Sequence, residues 1–223
     1  MTSQKIGAVR YSLQENSGGS RTYTIYAEKN GKKAALIKDS ISGFVTNGKY
    51  IYYTTGTYQR PGATGGGYYK NMSVKRYTIS SKKSTVIYKI KGTAEVRMPF
   101  ACDGTYLYTG CPYRAAYRDV TVYNLKNKKT VSIKWMAGEL QSVNGKLLVS
   151  AVNFRMGGIP GSLYLMNRDG TNAKMIAGGV SSVEVKNQYI YFTQEGYQSG
   201  SFKKRSCRCD LNGKNLEVLS GWR

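Results

Sequence analysis

Acid–base and nucleophilic catalysis near neutral pH most often uses a histidine, and this chain of 223 residues contains none. Ser-His-Asp and Cys-His constellations are therefore excluded, as is any zinc site with a histidine ligand. Paired carboxylates remain, of the kind that hydrolyse glycosides. Glu95, Glu139 and Glu184 fall 12, 9 and 6 residues before Leu107, Leu148 and Ile190, which the repeat described below makes equivalent, so these carboxylates share no register. Asp119 and Glu195 stand in connecting segments without an evident carboxylate partner, while Asp103, Asp169 and Asp210 sit where turns need them. The segment PGATGGG, Pro61 to Gly67, lacks the following helix and the Lys-Ser/Thr pair of a phosphate-cradling loop, and reads as a flexible loop. No cofactor and no metal are expected.

Binding chemistry is better provided. Four connecting segments each bring an aromatic ring together with a cation: Tyr58 with Arg60, Tyr113 and Tyr117 with Arg114 and Arg118, Phe154 with Arg155, and Tyr197 and Phe202 with Lys203. Rings stack on sugar faces or bases, and guanidinium groups make bidentate contacts to carboxylate or phosphate. Cation–π packing among these residues themselves would account for the same pattern. The chain has 34 Lys and Arg against 12 Asp and Glu, a net charge of +22 spread along its whole length. Such a field attracts polyanions: acidic cell-wall polymers, acidic glycans, nucleic acid or anionic membrane. A generally basic surface without a specific partner is the alternative. No nucleic-acid motif accompanies the charge.

The elements that position these residues are short extended runs separated by turns. The last unit, Gly179 to Gly221, holds four of them, with hairpin turns at Lys186-Asn187 and Asn212-Gly213. The same plan recurs upstream, with turns at Asn30-Gly31, Asn47-Gly48, Asp103-Gly104, Asn144-Gly145 and Asp169-Gly170. Ile51, Leu107, Leu148 and Ile190 occupy one place in successive units, 56, 41 and 42 residues apart, and the long connection of the second unit explains the long first interval. Four-stranded repeats of this period predict an all-β chain: a β-propeller of four-stranded blades. A sandwich would not need a hairpin turn at both the first and third connection of every unit. The units run over about residues 6–40, 41–92, 93–138, 139–178 and 179–221 of one 1–223 domain, giving five blades, with a six-bladed ring or a fragment of a larger one as alternatives. Only three strands are evident in the first unit, so its leading strand is expected to be missing or to lie upstream.

Tyr189-Ile190-Tyr191-Phe192-Thr193 and Tyr50-Ile51-Tyr52-Tyr53-Thr54, each close behind a turn, resemble the "IYY" half of a bacterial propeller repeat. Tyr164-Leu165-Met166-Asn167-Arg168-Asp169-Gly170-Thr171-Asn172 and Cys209-Asp210-Leu211-Asn212-Gly213-Lys214-Asn215 resemble its "LYRxxxDGxN" half. The chain is thereby similar, over nearly its whole length, to the DUF5050 propeller proteins and distantly to YWTD and TolB-like propellers. These motifs are turn and core residues, so the resemblance implies a fold rather than an activity. It also implies an extracellular or cell-envelope bacterial protein. No secretory leader is visible at the N-terminus, which keeps a cytoplasmic location as the alternative, and no run approaches a membrane span. The cysteines Cys102, Cys111, Cys207 and Cys209 lack CxxC spacing. A Cys102–Cys111 disulfide or four free thiols both fit, and free thiols are expected.

The function expected from all this is a monomeric, non-catalytic binding propeller. Its ligand residues would be Tyr58, Arg60, Tyr113, Arg114, Tyr117, Arg118, Phe154, Arg155, Tyr197 and Lys203, offered to an anionic polymer or glycan of the cell envelope. A protein–protein interaction module is the alternative, and a carbohydrate-active enzyme the second alternative.

Overall fold

Alternating tyrosines and aliphatics build strands covered on both faces. In the run Tyr50 to Thr54, Ile51, Tyr52, Tyr53 and Thr54 are all at most 2% exposed. The computed structural model describes residues 3–16, 22–59, 68–90, 97–113, 116–133, 137–151 and 161–223, without the side chains at 113, 116 and 139. The described residues form antiparallel strands and turns, with no helix among them. The chain divides into two compact units, Met1–Pro112 and Tyr113–Arg223.

The first unit carries two four-stranded meanders. One is ordered β1 (Ser3–Ile6), β2 (Val9–Glu15), β3 (Tyr23–Lys29) and β4 (Lys32–Asp39), and the other β5 (Ile41–Thr46), β6 (Tyr50–Gln59), β7 (Tyr68–Thr78) and β8 (Lys83–Lys89). The hairpin of β9 (Met98–Cys102) and β10 (Tyr106–Tyr113) ends at the boundary. The first meander therefore has the leading strand that the sequence appeared to lack: Ser3 to Ile6 pair with Ser12 to Val9. Its residues, SQKI, are polar and mostly exposed, so no hydrophobic alternation announces it. Tyr11, Ile25 and Ile37 of the first sheet and Ile41, Phe44, Ile51, Tyr53 and Tyr77 of the second interdigitate in one core.

In the second unit, β11 (Ala116–Asn124) pairs with β12 (Thr130–Ile133) and, at Tyr117, with β13 (Ala137–Val143). The meander continues through β14 (Lys146–Ala151), β15 (Gly161–Asn167), β16 (Lys174–Lys186), β17 (Tyr189–Gln198), β18 (Ser201–Asp210) and the short β19 (Glu217–Val218). Strand β16 changes partner along its length, its first half pairing with β15 and its second with β17, where the last sheet region, β16–β19, begins. The change of direction falls at Gly179, whose φ is +67° and where a Cβ would stand 2.5 Å from the Glu195 carbonyl oxygen. Only glycine fits such a bend. Val143, Leu148, Leu163, Ile190, Phe192, Cys207 and Cys209 form the core of this unit. All four cysteines are free thiols, so the alternative of a Cys102–Cys111 disulfide is set aside. Burial raises the Cys209 pKa to about 11.

Turn chemistry follows residue type. Asn30-Gly31 and Asn144-Gly145 place both residues at positive φ, the mirror-image turn that matches strand twist. At Asn47-Gly48 and Asp103-Gly104 only the glycine is at positive φ. There the Asn47 and Asp103 side chains accept the amides of Lys49 and Tyr50, and of Thr105 and Tyr106, at 2.7–3.1 Å. The last sheet's first hairpin turns on Asn187 and Gln188, one residue later than Lys186-Asn187.

Candidate binding surfaces

The segment from Glu195 to Lys204, expected as a loop, is a regular two-stranded ribbon. Glu195 faces Lys204, Gly196 faces Lys203, Tyr197 faces Phe202 and Gln198 faces Ser201. The ribbon closes on Ser199-Gly200, both at positive φ, at 49° and 80°. Tyr197 and Phe202 meet edge to face, 5.6 Å between centroids at 73°, and form a knob at the tip with 75% and 47% of their surfaces exposed. Lys203 is half-buried next to Phe202, and the Lys204 ammonium lies 2.7 Å from the Glu195 carboxylate. That hydrogen bond is the chief reason the Glu195 pKa falls below its ordinary value. Glu195 is thereby committed to an ion pair and is a poor proton donor.

The first unit repeats the device. The β6–β7 hairpin continues beyond the sheet through Thr57–Lys70, Tyr58–Tyr69 and Gln59–Tyr68 pairs. Tyr58 and Tyr69 again meet edge to face, 5.3 Å apart at 65°. Lys70 lies 5.7 Å from the Tyr68 ring. Of the residues expected to bind, Tyr58 thus pairs with a tyrosine across the ribbon, and Tyr197 and Lys203 share one ribbon. Tyr117 and Arg118 are half-buried neighbours on β11, and burial raises the Tyr117 phenol pKa. Tyr113 ends β10, its side chain being outside the description, and Arg60, Arg114, Phe154 and Arg155 lie outside the described residues.

Sequence inspection missed Trp222, Arg205 and Gln194. The Arg205 guanidinium lies 4.6 Å from the Trp222 ring, and its Nε donates to Gln194 Oε1 at 3.0 Å. No spacing rule links Trp222 to Arg205, because only the hairpin and the returning tail bring them together.

Several of the described carboxylates serve turns or ion pairs. Asp169 accepts the Thr171 hydroxyl and amide at 2.7 and 3.0 Å, and Asp210 accepts the Lys214 and Asn212 amides at 2.9 Å. These bonds lower both pKa values, led by the Thr171 hydroxyl at Asp169 and the Lys214 amide at Asp210. Asp39 pairs with Lys75 at 2.8 Å, and Glu184 with Lys186 at 3.1 Å. Among the described residues no group of three His, Cys, Asp or Glu is placed to hold a metal. An open groove of about 450 Å³ runs over the last sheet between Ser182, Glu184, Tyr191, Thr193, Ser206 and Leu219.

No protein-family model matches the sequence. No curated protein matches it either. Solved structures do. The chain is similar to the β-propeller domain of the Trilobed protease from Pyrococcus furiosus, at 13% identity and a TM-score of 0.50, over 96% of this chain and 66% of that one. It is similar to a chain of a nidogen/laminin complex at 12% identity and a TM-score of 0.50, covering 96% and 75%. It is also similar to the Listeria monocytogenes EGD-e protein lmo1340, at 11% identity and a TM-score of 0.54, covering 90% and 59%. The chain thus spans less than two thirds of the Listeria protein and of the Pyrococcus furiosus propeller domain. Identities this low carry the fold alone: four-stranded antiparallel sheets in a β-propeller chain.

Proposed function

We propose that the chain is a non-catalytic protein-binding propeller whose partner is acidic, engaged through the aromatic ribbon tips. The observation that carries this is the Tyr197–Phe202 knob, held out on a two-residue turn with Lys203 and Lys204 at its base. A ring that stacks on a sugar offers a flat, free face. Here the two rings are turned edge to face against each other, which makes a compact apolar anchor of the kind that fills a pocket on a protein. Two neighbouring lysines and a net charge of +22 favour an acidic rim around that pocket. One similar structure is a complex between two proteins, nidogen and laminin, and so lends support by analogy. An envelope or extracellular location belongs to this proposal and rests on the resemblance of the repeats. Among the described residues no helix is long and apolar enough to cross a membrane.

The second reading, an anionic polymer, is favoured by the charge alone. Display selection of a random peptide library against the parent chain separates the two. Acidic peptides containing an apolar or aromatic residue are expected, with affinity falling roughly 30-fold or more for the Tyr197→Ala, Phe202→Ala double variant, as for a hot spot of about 2 kcal/mol. If no peptide is enriched, while polygalacturonate or teichoic acid binds parent and variant equally with a steep salt dependence, the polymer reading replaces it.

A further inference from the structure

An isolated two-stranded ribbon is marginally stable in water, because each strand is paired on one side only and neither face is covered. The ribbon beyond Lys204 should therefore fray, yet its base has a third strand. After β19 pairs at Arg208–Glu217 and Cys207–Val218, the chain stays on the outer edge of β18. The Leu219 amide donates to the Ser206 carbonyl at 2.8 Å, and the Ser206 amide donates to the Ser220 hydroxyl at 3.0 Å. Lys204 and Arg223 then exchange both backbone hydrogen bonds, each 3.0 Å. Trp222, half-buried, turns back over the strand and lies on the Arg205 guanidinium, which Gln194 of the facing strand also holds. The tail beyond β19 thus stays hydrogen-bonded along the edge of β18 up to Lys204, leaving only the Gly196–Lys203, Tyr197–Phe202 and Gln198–Ser201 pairs beyond the support.

We infer that Trp222 is a positioning residue for the Tyr197–Phe202 knob: with Arg223 it clamps the ribbon at Lys204 and holds the knob ready for a partner it does not itself touch. The clamp stands on geometry, while its role in binding rests on the proposed function. Pre-ordering the ribbon removes part of the ordering cost of association, so its loss appears as weaker binding with an unchanged partner preference.

The test uses the full chain and two readouts. In Trp222→Ala, exchange of the Lys204 and Arg223 amides accelerates roughly five- to tenfold, the scale of a partly desolvated cation–π contact, and Trp222→Phe restores protection. The acidic peptides from the display selection bind Trp222→Ala several-fold more weakly, with the same salt dependence as the parent. Unchanged amide protection in Trp222→Ala overturns the clamp. Faster exchange with unchanged peptide affinity overturns the positioning role. A Tyr197→Ala, Phe202→Ala variant that binds peptide like the parent overturns the binding reading instead, and leaves the exchange result to judge the clamp.

Discussion

Tyr52 and Tyr191 hold the same place in two sheets built on one frame, and they meet opposite surroundings. In the β5–β8 sheet, Phe44 faces Tyr53, Val45 faces Tyr52, and Tyr52 faces Arg76. In the sheet of β16–β19, Val183 faces Phe192, Glu184 faces Tyr191, and Tyr191 faces Arg208. Both sheets lay an arginine on the first tyrosine of the pair, Arg76 at 5.0 Å from Tyr50 and Arg208 at 4.4 Å from Tyr189. In the β5–β8 sheet, β9 then packs over this face. Ser42 donates to the Arg97 carbonyl, Met98 fills the space over Gly43, and Tyr52 is 2% exposed. In the last sheet the equivalent face is an open groove, and Gly43, Val45 and Val74 are answered by the exposed Ser182, Glu184 and Ser206. The opposite positions stay buried in both although the residues change: Ile51, Tyr53 and Tyr77 in the one sheet and Ile190, Phe192 and Cys209 in the other are all at most 5% exposed. The difference teaches that the repeat fixes strands and one packed face, while the other face is set residue by residue according to what lies over it.

Exchanging single residues across the equivalent positions tests that comparison. The largest effect is expected for Val45→Glu, which buries an unpaired carboxylate and should cost more than about 4 kcal/mol of unfolding free energy. Glu184→Val, in the open sheet, should stay within about 0.5 kcal/mol of the parent, because its ion pair with Lys186 is exposed. Equal effects in denaturant titrations would end the equivalence. Next comes Gly43→Ala. Its Cβ would stand 2.9 Å from the Cβ and Sδ of Met98, so overpacking of about 1–3 kcal/mol is expected, against none for Ser182→Ala. An unchanged midpoint for Gly43→Ala would mean that β9 yields freely.

The smallest effect is a pH dependence. Burial, then the nearby Cys102, raises the Tyr52 pKa from 10.0 to about 12, with Arg76 opposing. The folded state thus holds the proton more tightly than the unfolded state. Its contribution to stability is complete below about pH 10 and is lost as pH rises toward 12. Parent and Tyr52→Phe should therefore diverge by roughly 1 kcal/mol between pH 9 and 11, the parent losing more. A constant difference across that range would show that Tyr52 ionises as freely folded as unfolded.

Much of this fold is legible in the sequence, because its signals are local. Asn-Gly and Asp-Gly pairs mark hairpins, and Ile51 and Ile190 mark the opening of the second strand in their sheets. Strand β1 is hidden because SQKI has neither alternation nor β-branched enrichment beyond a single isoleucine. The ribbon at Glu195 to Lys204 reads as a loop because its polar and glycine residues mask regular pairing, although Ser199-Gly200 is itself a hairpin signal. The site is legible only in part. Tyr197, Phe202 and Lys203 are visible as aromatic and basic neighbours, whereas Trp222 is joined to Arg205 by the path of the tail, which no local pattern encodes. The polarity of Ser182, Glu184 and Ser206 is plain in the sequence. Its meaning emerges only once Gly43, Val45 and Val74 are set beside them in register.

The most direct test of the account is titration of one selected acidic peptide into the parent, Tyr197→Ala/Phe202→Ala and Glu184→Val. The account predicts a loss of roughly 30-fold or more for the tip variant and none for the groove variant. Parent-like affinity in the tip variant, or a loss confined to Glu184→Val, would contradict it and move the binding surface from the ribbon to the open sheet.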